Sequence, residues 1–138
     1  HDPAQTPLME RVFLDANVLF SAAYAADSGL ARLWRLRGTT LVTSSHASAE
    51  AGRNLERDDQ RARLKHMLAG IESIATWPVI ELAPGIALPD KDLPILLAAI
   101  AARATYLLTG DRRHFGKLYG KTVHGVAVLA PAEYLKPR

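Results

Sequence analysis

Four acids stand where this chain could use them together: Asp15, Glu50, Asp92 and Asp111. Asp15 ends the apolar run Val12-Phe13-Leu14, and Asp111 ends Thr105-Tyr106-Leu107-Leu108-Thr109-Gly110. Asp92 opens the apolar segment Leu93-Pro94-Ile95-Leu96-Leu97, and Glu50 lies a few residues beyond Ser44-Ser45. Each acid alone has a plain explanation. Asp15, Asp92 and Asp111 sit where a helix N-cap belongs, and Glu50 can be a surface glutamate. On its own stretch, Asp15 or Asn17 reads equally well as a cap or as a chemical group. Taken together the acids fall at one edge of the expected sheet. Two carboxylates about 4 Å apart repel by roughly 4 kcal/mol at an effective dielectric of 20. Three or four of them therefore need a cation or shared protons. With no cysteine and no convincing histidine pair, an oxygen site suits Mg²⁺ or Mn²⁺ rather than Zn²⁺. Such a site can activate water and stabilise phosphate oxygens during attack on a phosphodiester.

The elements that must hold these acids alternate between β-favouring runs and helical spacing. A first strand over Val12–Leu14 leads into a helix over Asn17–Ala26. A second helix is expected between the Asp27-Ser28 cap signal and Gly38, with Leu30, Leu33, Trp34 and Leu36 inward and Arg32 and Arg35 on a solvated face. Thr39–Thr43 reads as the second strand, followed by a helix from His46 to Leu55 and another from Asp58 to Ile74. The third strand is expected at Val79–Leu82. A helix from Leu93 or Pro94 to Arg103, apolar on most sides, feeds a fourth strand at Thr105–Thr109. A short helix from Asp111 to Leu118, a fifth strand at Val123–Leu129 and a helical turn at Pro131–Leu135 complete the chain. This order predicts an α/β domain with three α/β/α layers and a five-stranded, mostly parallel sheet built from right-handed crossovers. Ligands of such sheets bind beyond the carboxyl ends of the strands, where Asp15 and Asp111 would lie.

The 138 residues suffice for one domain with a real core. The composition, 49% hydrophobic and 22% charged, is that of a soluble globular protein. The absence of cysteine excludes disulfides and thiol catalysis. No apolar run reaches membrane-spanning length. Residues 1–8 read as a disordered tail or remnant before a native start at Met9, leaving 9–138 as the single domain, and nothing there has the apolar core of a signal peptide. A cytoplasmic location is the expectation. A net charge of +3 permits a polyanionic partner without arguing strongly for one.

Several pieces occur in one order: FLDANVLFSA, SSHASAEAGRNL, PDKDLPILLAAIAARATYLLTGD and GVAVLAPAEYL. In these pieces the chain resembles the PIN-domain family (PilT N-terminus-like nucleases), and within it the VapC-type toxin ribonucleases of type II toxin–antitoxin systems. The most specific piece is the acid before an alanine-rich apolar helix, followed by a strand ending in Thr-Gly-Asp. The resemblance implies Mg²⁺- or Mn²⁺-dependent cleavage of RNA by Asp15, Glu50, Asp92 and Asp111, which would also bind the metal. Asn17 and Thr109 would orient those carboxylates, and Asp90, two residues from Asp92, could assist. It further implies a cognate antitoxin and a homodimer.

Arg112, Arg113, His114 and Lys117 follow Asp111 directly and are the expected contacts to an RNA backbone. Arg53 and Arg57 are further candidates, with a solvated face the simpler reading. No aromatic platform for base stacking is evident. Tyr24, Leu33 and Trp34 are possible partner contacts, although Leu33 and Trp34 fit the core better. Two other readings remain open: a PIN-fold module that binds RNA or protein without catalysis, and a receiver-like phospho-acceptor domain. The second is weakened because the early site is Asp-x-Asn and no lysine follows a matching strand.

Overall fold

The computed structural model describes residues 10–137. The expectations for the tail at 1–8 and the start at Met9 lie outside the described residues. The first strand, β1 (Glu10–Leu14), is the centre of the domain. Its Val12, Phe13 and Leu14 are wholly buried, as expected of a parallel strand covered on both faces. The chain then runs through α1 (Ala16–Tyr24), a 3₁₀ turn (Gly29–Arg35), β2 (Thr39–Ser44), α2 (Ser45–Asn54) and α3 (Asp58–Leu68) to β3 (Glu72–Ile74). It crosses to the other side of β1 through α4 (Leu93–Ala101) and β4 (Tyr106–Leu108). It ends with α5 (Arg112–Phe115), a second short 3₁₀ turn, β5 (Thr122–Val123), β6 (Val126–Leu129) and α6 (Pro131–Tyr134).

The strand order is β3-β2-β1-β4-β6-β5. All neighbours are parallel except the last pair, β5 with β6. The sheet therefore has six strands where the sequence reading had five. The expected fifth strand is split by a two-residue turn, His124-Gly125, in which both residues take positive φ (48° and 86°). That conformation is the hairpin turn that matches strand twist, so the run folds back on itself instead of extending. No side-chain neighbour restricts Gly125, so a methyl group there meets only backbone strain. Gly125→Ala should cost about 1–2 kcal/mol, read as a lowered urea midpoint.

Three further expectations change. The helix after Asp58 stops at Leu68, because the chain turns at Ala69-Gly70, and the next residues form β3 against β2 with Val42 opposite Glu72. Arg11 clamps this edge: its guanidinium forms an ion pair with Glu72, and its Nε donates to Ala102 O at 2.8 Å. Val79–Leu82 is not a strand. It has β-forming residues but no neighbouring strand to pair with, and Val79 is 89% exposed. The expected second helix is a 3₁₀ turn ending at Arg35. Leu30 and Leu33 recur at a spacing of three, which suits three residues per turn, and Leu33 is buried. The indole of Trp34 packs on the core and donates to Met67 O at 3.0 Å. Leu33 and Trp34 therefore have packing roles, and Tyr24 is the exposed one of the three, at 56%. No helix among the described residues is long and apolar enough to cross a membrane.

The strand order places a topological switch between β1 and β4. From β1 the chain goes outward to β2 and β3, and it later returns to the opposite side. Crevices at such switch points are the ligand sites of open α/β sheets.

Candidate active site at the sheet switch point

Because Leu14 pairs with Leu108, the residues that follow β1 and β4 emerge side by side. Asp15 N donates to Leu108 O at 3.1 Å, which fixes Asp15 against the end of β4. Its carboxylate is nearly buried, at 4% exposure. Oδ1 accepts from Ala16 N at 2.6 Å, so the capping role is real. Oδ2 is turned toward β4, where it accepts from Thr109 Oγ1 at 2.8 Å and Asn17 Nδ2 at 3.2 Å. The plain reading and the chemical one are therefore both satisfied, one oxygen each.

Thr109 and Asn17 tie the two strand ends together. Thr109 is wholly buried. Its hydroxyl donates to Asp15 and accepts from Asp111 N at 3.1 Å. Asn17 Oδ1 accepts from Gly110 N at 2.7 Å, while its Nδ2 reaches both Asp15 and Thr109 Oγ1. Their expected position beside the acids is observed.

Asp111 begins α5, where its Oδ1 accepts from His114 N at 3.1 Å. Asp92 precedes α4 without capping it: it makes no side-chain bond to the helix N-terminus. Its Oδ2 lies 2.8 Å from His114 Nδ1, which is in turn 2.9 Å from Asp111 Oδ2. Both are ion-pair distances for a protonated imidazole, although neither contact has hydrogen-bond geometry. Asp92 Oδ2 and His114 Nδ1 are buried with no hydrogen-bond partner. Leaving such atoms unmet costs free energy, so both are suited to a ligand that binds lone pairs.

Burial pushes the Asp15 carboxyl up to about 6 from 3.8. The bonds from Thr109 and Ala16 oppose the rise, and the fields of Glu50 and Asp92 add to it. Asp15 therefore lies within electrostatic reach of both other acids. Glu50 is half-buried and lines a cavity of about 290 Å³ with Ala16, Asn17, Phe20 and Asn54. A second cavity, about 390 Å³, opens on the other side of Asn17 and is lined by Gly110 and Asp111. Glu50 and Asp111 thus each line an open space, with Asn17 shared between the two. Another cavity, about 580 Å³, lies between the Gly29–Arg35 turn and the C-terminal residues and holds none of them.

The donor set fits a divalent cation. One atom each of Asp92, Asp111 and His114 lie within 4.8 Å of one another, with Asp15 and Glu50 as the further carboxylates nearby. Positive charge there would offset both the burial of the Asp15 carboxylate, the main cause of its rise, and the added fields of Glu50 and Asp92. The sequence reading did not place His114 among these groups. The available signal was its position three residues after Asp111, which puts both on one face of a helix. Arg112, Arg113 and Lys117 are exposed at the rim. Asp90 is exposed and makes no hydrogen bond or ion pair among the described residues, so it is not brought to the acids as Asn17 and Thr109 are. Arg53 is exposed and Arg57 pairs with Asp59 at 2.6 Å, as the solvated-face reading expects.

Comparison with known proteins agrees with this architecture. A chain of VapBC2 from Rickettsia felis, solved bound to a DNA fragment from their promoter, superposes with a TM-score of 0.63. The match covers 87% of this chain and 98% of that one at 17% identity, and so concerns the fold. No curated protein matches the sequence. The family model for the PIN domain matches residues 11–113, which carry Asp15, Glu50, Asp92 and Asp111. The chain belongs to the PIN domain family, whose members are in general nucleases.

Proposed function

We propose that the protein is a Mg²⁺- or Mn²⁺-dependent endoribonuclease and the toxin of a type II toxin–antitoxin pair. The observation that carries the nuclease reading is the convergence of Asp92 and Asp111 on one point beside the nearly buried Asp15, whose carboxyl is raised by burial and further by Glu50 and Asp92. Buried acids at a switch point are stable together when a cation joins them. The toxin reading rests on the VapC-like order of motifs, and the likeness to a VapBC2 chain supports the same fold. An antitoxin partner, a homodimer and a cytoplasmic location belong to that reading.

In this scheme Asp15, Asp92 and Asp111, with Glu50 from α2, hold the ion. The ion when bound offsets phosphate charge and acidifies the attacking water. Thr109 and Asn17 fix which way the Asp15 oxygens point. Arg112, Arg113 and Lys117 stand at the rim, where they would hold the flanking phosphates against the negative charge of the acids.

Thr109→Val keeps shape and removes the hydroxyl. The expected result is an affinity for Mn²⁺ about 10–100-fold weaker, measured by calorimetry, in a variant that still folds. The function itself is tested by incubating the purified protein with end-labelled single-stranded RNA in Mg²⁺, Mn²⁺ or EDTA. Cleavage that needs either ion supports the proposal. Folded protein that cleaves nothing in either ion, while binding RNA, contradicts it.

A further inference from the structure

We propose that His114 is a nitrogen ligand of the metal centre, and that it makes the site prefer a first-row transition ion such as Mn²⁺ over Mg²⁺. This rests on the metal-centre reading above and specifies which ion that centre takes. Three observations support it. First, His114 is turned away from its neighbours: Arg112, Arg113 and Lys117 face solvent, whereas the His114 side chain is 20% exposed with Nδ1 buried. Second, Nδ1 lies 2.8 Å from Asp92 Oδ2 and 2.9 Å from Asp111 Oδ2. With one atom each of Asp92, Asp111 and His114 within 4.8 Å of one another, the three donors converge closely enough to share one ion. Third, Nδ1 and Asp92 Oδ2 are buried and have no hydrogen-bond partner, and Asp92 as a residue is only 9% exposed.

The placement of His114 is fixed by its own backbone, since His114 N donates to Asp111 Oδ1 at 3.1 Å. One carboxylate thus orients the ring with one oxygen and faces it with the other. An imidazole nitrogen is a borderline donor that transition ions accept readily, whereas Mg²⁺ favours oxygen and water. A neutral ring also adds a ligand without adding a further negative charge to acids that already repel.

The test is titration of the full-length protein with Mn²⁺ and, separately, Mg²⁺ by calorimetry, for wild type and His114→Ala, with electron spin-echo spectra of the Mn²⁺-loaded samples. The expected result is Mn²⁺ bound at least about tenfold more tightly than Mg²⁺, a preference that shrinks by about tenfold in His114→Ala. Wild type should show coupling of Mn²⁺ to a ¹⁴N nucleus, and the variant should not. Should His114→Ala fail to fold, the nitrogen coupling in wild type alone decides. No nitrogen coupling overturns the inference. So does a variant that binds both ions more tightly by the same factor, because the imidazole would then be standing in for the cation. Failure of wild type to bind either ion overturns the metal-centre reading as well, which distinguishes the two.

Discussion

Asp92→Asn is expected to reduce RNA cleavage by about a thousandfold while leaving the protein folded. The two halves of this expectation have separate causes. Asp92 stands at the head of α4 but does not cap it, and its Oδ2 has no hydrogen-bond partner. An amide of the same shape therefore breaks no hydrogen bond, gives up only the ion-pair approach to His114, and removes one charge whose field adds to the rise of Asp15. Stability without metal should be unchanged or higher. Activity should fall because an ion loses one of its buried charged ligands, and several kcal/mol of transition-state stabilisation depend on that ion. About 4 kcal/mol corresponds to the thousandfold. Asp15 and Asp111 are less clean tests, since each also caps a helix. Single-turnover cleavage beside thermal unfolding in EDTA checks the expectation. A variant that cleaves at the wild-type rate, or one that is unfolded, contradicts it.

The second large effect is a pH-dependent stability set by Asp15. Its carboxyl titrates at about 6 in the folded protein against 3.8 for the unperturbed group. Between those values the folded state binds more protons than the unfolded one. The stability linked to Asp15 is therefore fully present below about pH 4 and is lost as pH rises through 6. At 1.36 kcal/mol per unit the loss is about 3 kcal/mol. Urea unfolding in EDTA between pH 4 and 7 should show Asp15→Asn gaining about this much relative to wild type, because the variant has no carboxyl to ionise. Parallel profiles for the two proteins would mean that Asp15 is not raised. Mn²⁺ should restore wild-type stability at pH 7, because a ligand that binds only the folded state stabilises it.

The acids were legible because their spacing was tied to element ends. Asp15 after Val12-Phe13-Leu14 and Asp111 after Leu107-Leu108 had to emerge together once those strands paired in parallel. Asn17 and Thr109 followed from the same geometry. Asp92 was placed by the apolar segment behind it, and its failure to cap α4 could be seen only in three dimensions. In sequence His114 groups with the neighbouring basic residues, whereas the turn of α5 brings its Nδ1 beside Asp92 and Asp111.

The edges of the sheet were the less legible part. β3 is three residues of modest β propensity that form a strand because β2 offers an edge, while the stronger run Val79–Leu82 finds none. Strand propensity is largely a matter of fitting a neighbouring strand, and the sequence does not show where that neighbour lies. The His124-Gly125 turn was a local signal, a glycine inside a β run, whose meaning as a hairpin was available. Asp90 reads in sequence as having only an assisting role beside Asp92, which abuts the start of α4. The turn before α4 exposes one and buries the other.

The most direct test of the metal centre is diffraction from crystals soaked in MnCl₂, recorded where manganese scatters anomalously. An anomalous peak among Asp15, Asp92 and Asp111, absent from Asp92→Asn crystals treated alike, is the predicted result. Well-ordered acids with no peak between them, or a peak only elsewhere on the molecule, would contradict the account.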